Sequence, residues 1–256
     1  MRPPLRLRLI TLPVLGAVAI LHAGQPPGTD PELAWQFELA YATRHIERGV
    51  TQTHDAWQPA LSVEYGSWTL GIWNNRPLDR NEDGEIETSL GYEWEVAPGF
   101  TWTVGVADKY NPDTRSPLTL RRTAEFILAA ERDFFPSPRF ALTGAFEVTW
   151  ETRVRALRVA GSLSHTQSLA MLGVPLEITV GLFAGHSHAE ELSPLSPSAP
   201  AGDAHHWRGA RIELAWLFNE HCALRLLGEI DRAAQVSPVQ GATGNTSLVT
   251  TLGFSW

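Results

Sequence analysis

The 256-residue chain carries 28 acidic against 20 basic side chains, a formal charge of −8, and Lys109 is its only lysine. An acidic chain without a basic tract makes a poor nucleic-acid binder, because neutralising phosphates takes clustered cations. Its single cysteine, Cys222, excludes an internal disulfide, so hydrogen bonding and packing must hold the fold together.

At the N-terminus Arg2, Arg6 and Arg8 precede an apolar run from Leu9 to Leu21, and small residues follow at Ala23 and Gly24. A basic region, a short apolar core and a small-residue junction make a secretory signal peptide, and the run is short for a spanning helix. Residues 1–24 are expected to be removed. Three arginines and no carboxylates leave with them, which takes the formal charge from −8 to −11. Residues 25–34 then read as a short periplasmic segment and residues 35–256 as the folded domain.

Alternation with a period of two yields twelve candidate strands, each about the length a tilted membrane strand needs. The first six run from Trp35 to Thr43, Pro59 to Tyr65, Trp68 to Asn74, Glu85 to Val96, Phe100 to Asp108 and Arg122 to Glu131. Phe140 to Glu151, Arg155 to Ser164, Leu176 to Gly185, Trp207 to Phe218 and Cys222 to Asp231 follow, and the last strand ends on Trp256. The clearest is Phe140 to Glu151. Phe140, Leu142, Gly144, Phe146, Val148 and Trp150 share one face, and Ala141, Thr143, Ala145, Glu147 and Thr149 share the other.

The connections alternate as well. Gly66-Ser67, Ala97-Pro98-Gly99, Pro136-Ser137-Pro138 and Asn219-Glu220-His221 are short. Long polar segments lie between them at 44–58, 75–84, 109–121, 187–206 and 232–245. Two links break the alternation: the one near Glu151–Arg153 is too short, and His165–Pro175 is too long. Short periplasmic turns alternating with long external loops, with an even strand count, describe an outer-membrane barrel. Leu248, Thr250, Leu252, Phe254 and Trp256 give the last strand one greasy face, and its terminal aromatic resembles the signal read by the barrel assembly machinery.

The expected fold is therefore all-β: a transmembrane antiparallel up-and-down β-barrel of about twelve strands, with ten or fourteen also compatible, in the bacterial outer membrane. Ten tryptophans fit girdles at the two membrane interfaces. A soluble β-sandwich also alternates, but it needs neither the terminal aromatic nor aromatic strand ends.

Two segments carry a family resemblance. YATRHIERGVTQTHDAWQPALSVEYG (41–66) and TLGIWNN (69–75) contain Arg48-Gly49, Pro59-Ala60 and Gly71-Ile72-Trp73; EIETSLGYEWEV (85–96) contains Glu85, Glu87 and Gly91-Tyr92. This first third of the chain resembles the TorF-like porins, a family of uncharacterised Gram-negative outer-membrane β-barrels. The resemblance implies the fold and a porin label, and it names no substrate.

By strand parity Glu38, Glu64, Glu87, Glu93, Glu95, Glu125, Glu147, Glu177, Glu213, Glu229 and Asp231 point inward, as do Arg158, Arg211 and Arg225. Carboxylates outnumber guanidiniums, so a wet lumen would favour cations. Glu38, Arg48, Glu64, Glu87, Glu93, Glu147, Arg158, Glu177, Arg211, Glu213, Arg225 and Glu229 are the expected pore-lining set. The same charges could instead pair into a polar core that closes a narrow barrel.

Two loops carry metal-ligand types. Asp79, Asn81 and Asp83 before Gly84 match the start of a calcium loop, although its twelfth position is Leu90. His186, His188, His205 and His206, flanked by Glu190, Glu191 and Asp203, could take zinc or copper if the Pro/Ser-rich loop between them folded over. An enzyme is not expected. Ser164-His165 and Ser187 between His186 and His188 are adjacent pairs, which point to opposite faces of a strand.

The expected function is passive passage of small hydrophilic solutes with a weak cation preference, without a cofactor. The alternative is a non-conducting structural or surface-interaction barrel whose loops bind a partner or metal. Outer-membrane lipid and lipopolysaccharide, the assembly machinery acting through the Trp256 strand, and small solutes are the expected partners of a monomer.

Overall fold

The computed structural model describes residues 33–47, 50–112, 121–134, 141–153, 155–189, 204–219, 221–235 and 243–255. Twelve strands are found: β1 (Leu33–Glu47), β2 (Val50–Tyr65), β3 (Trp68–Pro77), β4 (Glu85–Ala97), β5 (Phe100–Tyr110) and β6 (Arg122–Asp133). The second half comprises β7 (Ala141–Glu151), β8 (Ala156–Ser168), β9 (Leu176–Ala189), β10 (Ala204–Asn219), β11 (Cys222–Gln235) and β12 (Thr243–Ser255). Each pairs antiparallel with its neighbours in sequence, and β1 pairs with β12 to close the barrel. Closure leaves no strand edge, which hydrocarbon requires because it offers backbone groups no hydrogen-bond partner.

The period of two in the sequence becomes a two-sided wall. On β11, Ala223 and Arg225 are buried while Leu224 and Leu226 lie about 40% exposed. Leu182 at 62%, Ile230 at 61% and Ile212 at 50% continue the exposed apolar surface over the neighbouring strands. Water would not tolerate so continuous an apolar surface, whereas lipid solvates it, which removes the β-sandwich alternative. Among the described residues no helix is long and apolar enough to cross a membrane.

Exposed aromatics mark both rims of this wall. Trp35, Tyr65 and Trp68 stand near the end where β1 begins and β12 ends, and Trp57 and Trp150, with the half-buried Tyr41, stand near the other. Cross-strand partners meet edge to face there: Trp68 and Tyr92 with ring centroids 4.8 Å apart, and Tyr41 and Trp57 at 5.5 Å. The girdle expectation fails for two tryptophans. Trp73 (5% exposed) and Trp207 (2%) face inward.

Several boundaries also differ from those expected. β1 starts at Leu33, inside the segment read as periplasmic. Residues 44–58, read as a loop, mostly extend β1 and β2, whose pairing reaches Glu47 opposite Val50. Pro59 lies within β2, and there the ladder to β3 is interrupted between the pairs Trp57–Arg76 and Ala60–Trp73. Proline has no N–H to donate to that neighbour, so the interruption spares a bond it could not make. β8 runs on to Ser168, and a short 3₁₀ turn at Ala170–Leu172 closes on Gly173 in the left-handed region. The expected signal peptide, residues 1–24, lies outside the described residues, as does Trp256.

Candidate functional site in the barrel interior

Interior side chains project from alternate positions of every strand, so the register of the ladder decides which charges meet. Glu38, Glu87, Glu147, Arg158, Glu213 and Arg225 are buried inside. Glu64, Glu93, Glu177, Arg211 and Glu229 occupy inward positions and are half-buried. Arg48 lies outside the described residues.

The loop end of the lumen is filled. Ala42, Ala56, Asn75, Glu125, Thr149 and Asp231, on six different strands, are each no more than 2% exposed. One charged network runs across this half from β4 to β8. Lys109 Nζ lies 3.8 Å from Glu85, 3.8 Å from Glu87 and 3.7 Å from Glu125. Arg158 donates to Glu125 Oε1 at 2.6 Å and to Glu151 Oε2, and Thr123 Oγ1 donates to Glu151 at 3.2 Å. Two cations thus hold four carboxylates whose isolated burial would be costly. Thr149 donates to Glu147 at 2.7 Å beside this network.

Two neighbouring groups complete the packing of the loop half. Gln58 donates to Asn75 Oδ1 at 3.0 Å, and Asn75 donates to Thr53 Oγ1 at 2.9 Å, next to the His45–Trp73 ring contact at 5.1 Å. On the opposite wall Trp207, Phe183 and Ala160 form an apolar cluster inside the barrel. Its close fit depends on glycine. Gly185 is the cross-strand partner of Trp207, and a Cβ there would overlap the indole ring.

The end with the short turns divides into two sides. Toward β10, β11 and β1, Arg225 donates to Glu38 at 2.6 Å, and its Nε lies 3.8 Å from Glu213. Gln36 also donates to Glu38, at 2.8 Å. Toward β2 through β9 the inward residues Glu64, Glu93, Glu131, Asp133 and Glu177 are only half-buried. Arg211 stands in the field of Glu229, Glu213 and Glu131, whereas Glu64 and Glu93 face each other as like charges. The interior is therefore a carboxylate-rich vestibule leading toward a constriction knitted from ion pairs.

Lys109, Glu85 and Glu151 belong to this constriction and were absent from the expected lining set. The sequence places Lys109 at the start of the 109–121 loop, whereas β5 continues to Tyr110. The sequence does hold the signal: Thr101, Thr103, Gly105, Ala107 and Lys109 continue the inward parity of β5.

The loop residues read as metal ligands are arranged otherwise. Asp79 Oδ1 accepts from the backbone N of Asn81 at 2.9 Å and from its side-chain amide at 3.0 Å, so it closes a local turn. Glu82 receives the His54 backbone N–H at 2.8 Å and lies 2.7 Å from its ring nitrogen, pinning this loop to β2. His186 and His206 are register partners with Nδ1 atoms 3.1 Å apart, and His188 pairs with Leu157 and Ala204. His205 falls opposite Ser187 in the register, and Glu190, Glu191 and Asp203 lie outside the described residues. Among the described residues no three His, Cys, Asp or Glu converge as metal ligands.

No family model matches the chain, and no curated protein matches it. Its shape is similar to LpxR from Salmonella typhimurium, with a TM-score of 0.53 at 8% identity, over 86% of this chain and 99% of that one. An outer-membrane channel of Pseudomonas putida F1 is similar at a TM-score of 0.50 and 12% identity, over 91% and 99% of the two chains. The NanC porin gives 0.50 at 8% identity, over 85% and 98%. At these identities the likeness shows the fold alone: this chain folds as a closed antiparallel β-barrel of the kind found in the outer membrane.

Proposed function

We propose that the barrel lets small hydrophilic solutes pass down their gradient, with a weak preference for cations. One observation carries this reading: on the described strands the inward cations are Lys109, Arg158, Arg211 and Arg225, and the inward carboxylates are far more numerous. A low-dielectric wall focuses that excess into the lumen, raising the local concentration of cations and repelling anions. Glu64, Glu93, Glu177 and Glu229 would line the vestibule. Glu38, Glu87, Glu147, Arg158, Arg211, Glu213 and Arg225, with Arg48, would set the width and field of the narrow part. Lipid and lipopolysaccharide would surround a monomer, and the assembly machinery would read β12 together with Trp256. The porin label of the TorF-like family, carried by the motifs of the first third, agrees with this reading, which requires neither a cofactor nor catalysis.

The test is conductance of the refolded protein in planar bilayers, after a heat-dependent gel shift has verified folding. Discrete steps whose reversal potential favours the cation are expected. Anion-favouring steps would remove the acidic-lumen argument. The second reading is a non-conducting barrel, favoured by the near-complete burial of the loop-half network around Glu125 and Arg158. Silence from a folded barrel would select it and would shift attention to the outer surface and the loops.

A further inference from the structure

The outer wall carries a pair of arginines for which the described residues supply no counter-charge. Arg208 on β10 and Arg232 on β11 are register partners, directly opposite each other. Trp207 and Asp231, their chain neighbours, are buried inside, so both guanidiniums belong to the lipid side, where both residues are exposed. Among the described residues neither has a hydrogen bond or ion pair, whereas Arg122, Arg158 and Arg225 each hold a carboxylate. Like charges facing each other across a strand pair repel, and such an arrangement persists most readily when an anion sits between them.

Their depth says which anion. One step toward the short-turn end on the same face lie Ala210 and Ile230, and beyond them the apolar wall continues with Ile212 and Leu226. One step the other way stand His206 and its partner His186. Arg208 and Arg232 thus form the first polar row above the hydrocarbon band at the loop end. This is where the headgroups of outer-leaflet lipids meet water.

We propose that Arg208 and Arg232 together clamp a phosphate of an outer-leaflet lipid headgroup. Two planar guanidinium forks can donate to one phosphate at once, which a single point charge cannot do. A free phosphate ion shares this chemistry but lacks the acyl chains that Ile230 and Ile212, just below, are placed to touch. This inference rests on the outer-membrane barrel alone and stands whether or not the lumen conducts.

The experiment uses the full refolded barrel in detergent and native mass spectrometry. Three probes are compared: bisphosphorylated lipid A, its fully dephosphorylated form and inorganic phosphate. Retention of the bisphosphorylated lipid is expected to exceed that of the dephosphorylated form by about tenfold and to fall by a similar factor in R208Q/R232Q. Millimolar inorganic phosphate should not displace the lipid. A heat-dependent gel shift checks that the variant folds, and R208K/R232K, which keeps the charge but loses the forks, should retain an intermediate amount. R76Q, which removes another exposed arginine on β3, should bind like the unmodified barrel. Equal retention by R208Q/R232Q, equal retention of the dephosphorylated lipid, or displacement by inorganic phosphate at lipid-like concentrations would each overturn the proposal.

Discussion

Arg158 is the side chain on which the loop-half interior turns. It is 3% exposed and bridges Glu125 and Glu151, with Lys109 on the far side of Glu125. Replacing it by Met would leave Glu151 without its guanidinium and Glu125 with a cation only at 3.7 Å. R158M is therefore expected to lose about 3–5 kcal/mol, the usual penalty for breaking a buried pair from one side, as read by urea unfolding in lipid vesicles. A loss below about 1 kcal/mol would mean that water reaches the network and screens it. Gly185 makes the matching point about shape. With the Trp207 ring lying against its Cα, G185A must push the indole aside, and a cost of about 1–3 kcal/mol is expected from overpacking. Near-wild-type stability would show that the ring has a second resting place.

At the scale of the strand, the two faces answer to different solvents. Val180 lies near the middle of the exposed apolar face of β9, with Ile178 before it and Leu182 after it. An arginine introduced there would sit in hydrocarbon, so V180R is expected to cost about 2–4 kcal/mol. The same change at Ala184, level with Arg208 in the register, should cost about 0–1 kcal/mol, because the interface lets a long cation reach water. Equal costs at the two depths would contradict the placement of the band. Strand parity was legible from residues such as Leu224, Arg225 and Leu226, since a two-sided environment writes itself into a period of two. Strand ends were less legible. Residues 44–58 are mostly polar, yet they extend the β1–β2 hairpin, and the alternation is broken at Asp55, whose positive φ leaves Thr53 and Ala56, three positions apart, both buried inside.

For the whole molecule the consequence is electrostatic. If the half-buried vestibule carboxylates bias entry, E64Q/E93Q/E229Q should lower the cation-to-anion permeability ratio toward unity while leaving a folded barrel. Raising the salt should have the same direction of effect, because the screening length shrinks from about 10 Å at 0.1 M to about 3 Å at 1 M. Reversal potentials measured across salt gradients check both. Selectivity unmoved by either change would place its origin in the buried constriction.

The sequence by itself determined the fold class, placed the strand number near twelve and told by parity which side most strand residues face, because lipid outside and a polar interior impose an alternation that needs no knowledge of partners. Glu38, Glu147, Arg158 and Arg225 were therefore assigned to the interior by parity alone. Which of them meet was decided only by the tertiary structure. Glu38 and Arg225 are 187 positions apart and touch because β1, β12 and β11 lie side by side once the barrel closes. The stagger of the strands likewise brings Lys109 between Glu87 and Glu125 and sets Trp207 on Gly185. Parity is a local property of the chain, whereas contact across the lumen depends on closure and register, which arise only when all twelve strands have paired.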